Sequence, residues 1–298
     1  MIKNFDDLLK RVKDAGTFKI SVAQAEDKEV LQAVKMGEDM GFIYPILVGD
    51  KLKIEKAAKD VGLKRYEIVH NSNPAETALE AVKVVSRGDA QVLMKGLVNT
   101  STYLRAVLNK EYGLRTGKLL SLLAVYELPG YHKLLYCTDS GVNVSPSLEQ
   151  KKDILTNSLL AMKNMGFDMP KVAALSSNEM ADPKIPSTVD AAELVNMVHN
   201  HIIPDCIIEG PVAFDVAFDP HAAKHKGIDS KISGDVDLLM FPNIETGNVL
   251  GKSWLHFNQA KWAGIILGAS SPVVLGSRSD TADVKINSIA LACLTSNI

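Results

Sequence analysis

Short apolar runs alternate with amphipathic stretches along most of this chain. Ile43 to Val48, Tyr66 to Val69, Gln91 to Met94, Lys171 to Leu175, Cys206 to Glu209, Val236 to Phe241 and Pro272 to Leu275 have the length and composition of buried strands. Between them, Lys51 to Val61, Pro74 to Val85 and Val189 to Asn200 carry helical spacing. Gly62 and Ser86-Arg87-Gly88 close the first two, and Pro74 opens the second. This alternation predicts an α/β fold with a mainly parallel sheet under covering helices. Two β-like runs, Leu119 to Leu128 and Lys133 to Cys137, are joined by Pro129-Gly130-Tyr131-His132, which predicts an antiparallel hairpin at the junction of two α/β halves. The boundaries are accordingly set at 1–130 with 275–298 for one domain and 131–274 for the other. A helix is expected to open at Ser145 as cap, with Pro146 at its first position and Glu149 in its first turn. The last helix, Ala282 to Leu294, carries an apolar stripe that would pack back on the first half.

The polar residues that directly follow these runs are more specific. Lys95-Gly96, Thr138 to Asn143, Pro242-Asn243 with Gly247-Asn248, and Ser277-Arg278 each come straight after a predicted strand. In open α/β sheets the ligand crevice lies outside the carboxyl ends of the strands, so these clusters point to one small-molecule site built from distant segments. An Arg there can hold two phosphate oxygens with parallel hydrogen bonds, and Ser277 can add a third bond to those of Arg278. Asp283 has two readings. It either complements the dipole of the last helix, with Asp280 as cap, or serves as a general base beside Arg278. Arg105, Lys110, Arg115 and Lys118 have only Glu111 as a nearby acid. They form either a solvated basic face or a binding surface for the phosphates of a large anionic molecule.

Composition narrows the partners. A net charge of −2, with 46% hydrophobic and 23% charged residues, gives no footprint for nucleic acid or a membrane surface. No apolar stretch reaches the about 18 residues of a membrane span. Met1 to Asp7 lacks the basic-then-apolar pattern of a signal peptide, so the expected location is the cytoplasm. The three cysteines, Cys137, Cys206 and Cys293, fit no zinc or redox spacing and read as small buried hydrophobes. A nucleophilic Cys137 beside Thr138-Asp139 is the alternative. No GxGxxG follows the first strand, and neither GxxxxGK[ST] nor GxSxG occurs.

With these clusters in place, the chain resembles the phosphate acetyltransferase and phosphate butyryltransferase family over nearly its whole length. The matching stretches are Leu93 to Gly96 with Thr102, Gly113 to Gly117, Thr138 to Asn143, Lys171 to Ser176, Glu209 to Pro211 with Asp215 to Ala217, Pro242-Asn243 with Gly247-Asn248, and Pro272 to Arg278. The resemblance implies two α/β domains with a cleft between them, similar to the isocitrate and isopropylmalate dehydrogenase fold, and a homodimer. It implies the reaction acyl-CoA + phosphate ⇌ acyl phosphate + CoA in a ternary complex, with coenzyme A as a substrate and no permanently bound cofactor or metal. In that picture Asp283 deprotonates the thiol, while Arg278 binds phosphate and stabilises charge with Ser277 assisting. Lys95, Gly96, Thr102, Arg115, Thr138, Asp139, Asn143, Asn243 and Asn248 bind substrate. The spacing from Arg278 to Asp283 is one residue shorter than in the acetyl enzymes, which leaves Asp280 as the alternative base. Chain length, Gly113 to Gly117, and His225-Lys226-Gly227-Ile228 resemble the butyryltransferase branch, with acetyl and branched-chain acyl groups as alternatives. The rival classes are a metal-dependent dehydrogenase on the related fold and a non-catalytic acyl-CoA-binding protein.

Overall fold

The computed structural model describes residues 2–276 and 280–296. From the N-terminus the elements are α1 (Phe5–Ala15), β1 (Phe18–Ala23), α2 (Lys28–Met40), β2 (Ile43–Gly49), α3 (Lys51–Val61), β3 (Glu67–His70), α4 (Pro74–Ser86), β4 (Val92–Lys95) and α5 (Thr100–Val107). There follow β5 (Ser121–Glu127), β6 (Leu135–Thr138), α6 (Leu148–Asn164), β7 (Lys171–Leu175), α7 (Pro186–His199), β8 (Ile207–Val212), α8 (Phe214–Phe218), α9 (Pro220–His225), β9 (Leu238–Met240) and α10 (Ile244–Phe257). The chain ends with β10 (Lys261–Leu267), β11 (Val273–Val274) and α11 (Ala282–Thr295). No helix among the described residues is long and apolar enough to cross a membrane.

Two compact units emerge. The N-terminal unit joins Asn4–Lys118 to Ala263–Ile298, and the central unit joins Met1–Lys3 to Leu119–Trp262. The boundaries expected from sequence, 130 and 274, lie later in the chain. The physical reason is strand pairing. β5 pairs antiparallel with β6 through Ala124↔Cys137 and Tyr126↔Leu135, so the whole hairpin goes with the central unit. β10 pairs antiparallel with β11 through Ile266↔Val273, which keeps that stretch with the N-terminal unit.

In the N-terminal unit the strand order is β3-β2-β1-β4-β11-β10, parallel from β3 to β11. The chain runs outward from β1 to β3 and then returns to β4 on the other side of β1. That reversal between β1 and β4 is the switch point where open α/β sheets bind ligands. β1 and β10 are strands that the apolar pattern did not single out. Lys19 and Ser21 interrupt the apolar run of β1, yet Ser21 is fully buried because its hydroxyl donates to the Ala81 carbonyl at 2.9 Å. α11 packs against α1 and α2 with Ile286, Ile289, Ala290 and Cys293 buried, as the stripe predicts. It is capped by Thr281, whose hydroxyl accepts from Val284 N, and not by Asp280.

In the central unit the order is β5-β6-β9-β7-β8, parallel from β6 onward. The cap of α6 is Ser147 rather than Ser145. Ser147 and Gln150 form a reciprocal capping box, and Pro146 lies buried just before the helix. At the amino ends of β6, β7 and β9 sits an ion network. Lys133 is buried and its Nζ lies 2.6 Å from Asp237 Oδ1 and 2.7 Å from Asp235 Oδ1. Lys171 Nζ reaches Asp235 Oδ2 at 2.7 Å, and His132 Nε2 reaches Asp235 Oδ1 at 2.9 Å. Burial raises the Asp235 carboxyl, but the hydrogen bonds from Lys133, Lys171 and His132 outweigh it and hold the group well below the usual carboxylate range.

A depressed folded pKa gives stability that is present above the unfolded value of about 3.9 and is lost as pH falls from there toward the folded value. Asp235→Asn is therefore expected to lower the melting temperature at neutral pH and to flatten its fall below about pH 4. The effect should be on the order of 1 kcal/mol, because a carboxylate this exposed is partly screened by water. Melting curves of both proteins from neutral pH to about pH 3 check this.

Candidate active site

Among the described candidate residues, Lys95 ends β4 and Gly96 follows it, Thr138 ends β6 and Asp139 to Asn143 follow it, and Asn243 and Asn248 come after β9. In the N-terminal unit, β4 ends at Lys95, and the register Val273↔Leu93, Val274↔Met94 sets the end of β11 beside it. Lys95 is buried, and its Nζ donates to the Gly96 and Val98 carbonyls at 3.3 Å each. Gly96 turns the chain tightly against β1. A Cβ there would meet the Gln24 carbonyl at 2.3 Å and the Ala23 carbonyl at 2.6 Å, both backbone atoms that cannot yield.

A cavity of about 500 Å³ lies beside this turn at the switch point. Its polar lining includes Gln24, Asn99, Thr102, Arg105 and Asn109, and its apolar wall comes from Pro74, Leu79, Leu97 and Val98. Asn99 caps α5 by accepting from Thr102 N at 2.9 Å, which fixes the first turn of that helix. Arg105 is exposed on the next turn and makes no ion pair among the described residues. Gln24, Asn99 and Asn109 were not legible as site residues, because Gln24 follows the strand that the apolar pattern concealed.

Arg115 stands on a separate turn. Its backbone bridges Ala269, and Ser270 N donates to the Leu114 carbonyl at 2.8 Å, so the Gly113–Gly117 turn lies on the connection from β10 to β11. Asp283 is exposed in the first turn of α11. Ser277 and Arg278 lie outside the described residues.

The central unit carries the other five. Asp139 is buried, and its carboxylate accepts from Gly141 N at 2.8 Å, Val142 N at 3.0 Å and Asn143 N at 3.2 Å. Asn143 Nδ2 donates both to Asp139 Oδ2 at 2.6 Å and to the Leu120 carbonyl at 2.9 Å. Thr138 donates its hydroxyl to the Leu122 carbonyl at 2.9 Å. These three side chains therefore fold the loop after β6. Asn243 caps α10 by accepting from Thr246 N at 3.0 Å, and Asn248 Nδ2 donates to the Ser140 carbonyl at 3.4 Å. Gly247 lets that helix approach the loop, since a Cβ would fall 2.7 Å from Ser140 Cβ.

The three cysteines are free and buried. Cys137 is fully buried and burial pushes its thiol well above the ordinary value. Burial and Asp205 push Cys206 up to about 12, and burial raises Cys293 as well. Burial and a raised thiol both count against a nucleophilic Cys137.

An α/β architecture with polar residues at strand carboxyl ends is shared with solved phosphotransacylases. A branched-chain phosphotransacylase from Enterococcus faecalis superposes with a TM-score of 0.82 at 34% identity, covering 94% of this chain and 99% of that one. A 4-hydroxythreonine-4-phosphate dehydrogenase from Klebsiella pneumoniae superposes with a TM-score of 0.58 at 10% identity over 93% of this chain and 98% of that one, which relates the fold to dehydrogenases. The family described as "Phosphate acetyl/butaryl transferase" matches residues 64–293. The phosphate butyryltransferase of Clostridium beijerinckii is 44% identical over 296 residues, 99% of this chain and 98% of that protein. The chain belongs to the phosphate acetyl/butyryl transferase family.

Asp139→Ala strips the loop after β6 of the acceptor for three backbone N–H groups. It is expected to destabilise the protein by about 2–3 kcal/mol, because partly buried donors lose their partner. Thermal unfolding of the variant beside wild type measures this.

Proposed function

We propose that this chain catalyses reversible transfer of a butyryl group between coenzyme A and inorganic phosphate, butanoyl-CoA + phosphate ⇌ butanoyl phosphate + CoA, in a ternary complex. The observation that carries the reading is the 44% identity to a phosphate butyryltransferase over 99% of this chain. A branched-chain acyl group is the second reading, supported by the 34% identity to the Enterococcus phosphotransacylase.

In the proposed chemistry, Asp283 takes the proton of the CoA thiol. The sulfur attacks the carbonyl carbon of butanoyl phosphate, a tetrahedral oxyanion forms, and its collapse expels phosphate. A thiol with a pKa near about 8.5 is only slightly ionised at neutral pH, so a carboxylate base adds rate. Arg278, assisted by Ser277, holds the phosphate and offsets the charge that develops beside it. The exposed start of α11 suits Asp283 to this role, with Asp280 as the alternative base. Arg105 and Arg115 supply cationic charge for the phosphates of coenzyme A, supported by their exposure and by the lack of an ion pair for either among the described residues. Lys95, Gly96, Thr102, Thr138, Asp139, Asn143, Asn243 and Asn248 shape the substrate-binding surfaces, several of them by holding loops. We assign the reaction to the cytoplasm, where three buried free cysteines fit a reducing setting, and the working species to a homodimer.

Release of free thiol from butanoyl-CoA on addition of phosphate tests the reaction, and parallel assays with acetyl- and branched acyl-CoAs rank the acyl groups. No phosphate-dependent release from any of them would overturn it. Arg278→Ala is expected to lower kcat by about a hundredfold or more, as loss of an oxyanion or phosphate donor does. Asp283→Asn is expected to lower kcat with little change in KM for coenzyme A, and a pure KM effect would remove Asp283 from the base role.

A further inference from the structure

The cavity at the switch point is walled by the N-terminal unit alone, and its polar groups are unevenly committed. Asn99 Oδ1 accepts from Thr102 N and from the Ser101 hydroxyl, each at 2.9 Å. Asn109 Oδ1 accepts from Glu111 N and Tyr112 N, again at 2.9 Å each. Both amide oxygens are thus spent, one on the start of α5 and one on the turn after it. Neither Nδ2 makes a hydrogen bond among the described residues, so these side chains keep donors for a ligand.

Gln24 follows β1 with a φ of 52°, in the left-handed region that few residues other than glycine adopt. Its carbonyl accepts from Leu97 N at 3.0 Å, while its side-chain amide makes no hydrogen bond among the described residues. A backbone outlier whose side chain lines a cavity without tying its own loop points to contact with a ligand.

The described lining holds no acidic side chain, no aromatic ring and one cation, the exposed Arg105. Leu79, Leu97 and Val98 give it an apolar wall. Acyl-CoA could present three chemistries here. A short acyl chain would leave the amides without partners, which is unfavourable. The nucleotide brings several negative charges and an aromatic base, and the lining has neither the charge nor the rings to match them. The pantetheine arm fits both surfaces. Its carbonyls can accept from the Asn109 nitrogen, its N–H groups can donate to the Gln24 oxygen, and its dimethyl branch suits the apolar wall.

We infer that this cavity holds the pantetheine arm of acyl-CoA, with Gln24 and Asn109 as substrate-binding residues that read its amides. The inference rests on the phosphate acyltransferase reading.

Asn109→Asp keeps the acceptor for Glu111 N and Tyr112 N and removes the donor, so it separates the two uses of that side chain. Gln24→Ala removes the other contact. Both variants and wild type are assayed with phosphate and either butanoyl-CoA or butanoyl-pantetheine, which lacks the nucleotide and its charge, and their melting temperatures are recorded. Each variant is expected to raise KM for butanoyl-CoA about three- to tenfold with kcat within about twofold, as loss of a hydrogen bond made equally in ground and transition states does. The same factor should appear in kcat/KM for butanoyl-pantetheine. An unchanged KM in either variant overturns the inference. So does a loss seen with butanoyl-CoA and absent with butanoyl-pantetheine, or a wild type that uses only the former, since both would put the nucleotide in the cavity. Activity that falls only in proportion to folded protein makes the two residues structural and overturns it as well. All these outcomes leave the acyltransferase reading standing. A wild type without phosphate-dependent turnover of any acyl-CoA overturns that reading, and the inference with it.

Discussion

Two residues of strand, Val273 and Val274, pair in parallel with Leu93 and Met94, while Val273 also pairs antiparallel with Ile266. Leu93 N donates to the Pro272 carbonyl at 3.2 Å, and Tyr103 holds the Val274 carbonyl from above. This short strand fixes where the chain emerges at the carboxyl edge beside Lys95. Burial makes the register firm: Val273, Val274, Leu93 and Met94 are all at or below 1% exposure, so a slip of one position would expose or bury the wrong side chains.

At both carboxyl edges, much of the polar chemistry is spent on the protein itself. Asp139 and Asn143 tie the loop after β6, Asn243 and Asn99 cap helices, and Lys95 donates to two carbonyls of its own loop. These residues are of the types that bind anions or hydroxyl groups, and a sequence pattern cannot tell the two uses apart. Their shared consequence is rigidity. A loop whose carboxylate already accepts three N–H groups loses little further freedom when a ligand arrives, and such preorganisation spares binding energy for the transition state.

That difference explains what the sequence disclosed. Continuous apolar runs revealed β2, β4, β6, β7, β9 and β11 because both faces of a parallel strand are buried. β1 escaped because Ser21 hides its hydroxyl against a helix carbonyl, a contact invisible in one dimension. The caps of α6 and α11 were misplaced by a residue or two because Ser145 and Ser147, or Asp280 and Thr281, are all competent acceptors, and only geometry chooses. Within each unit, the clusters after β4, and after β6 and β9, were legible because they come straight after apolar runs. The cavity was legible only in part: Thr102 belonged to a recognisable motif, whereas Gln24 depended on the concealed strand.

The placement of the thiols bears on how acyl groups can move. Cys137 and Cys293 are fully buried, Cys206 nearly so, and burial raises all three thiols. An acyl-enzyme on cysteine would need an ionised sulfur within reach of a thioester, a state that burial disfavours for all three. Direct transfer asks instead for orientation of two anionic substrates and neutralisation of the oxyanion formed between them. Holding both reactants in near-attack geometry can itself supply several kcal/mol of the barrier. Cationic side chains on well-held elements are suited to orienting such substrates, and Arg105 on α5 and Arg115 on the turn against Ala269 are exposed cations of the N-terminal unit. For such an enzyme, the accuracy with which loops are held weighs as much as the identity of the base.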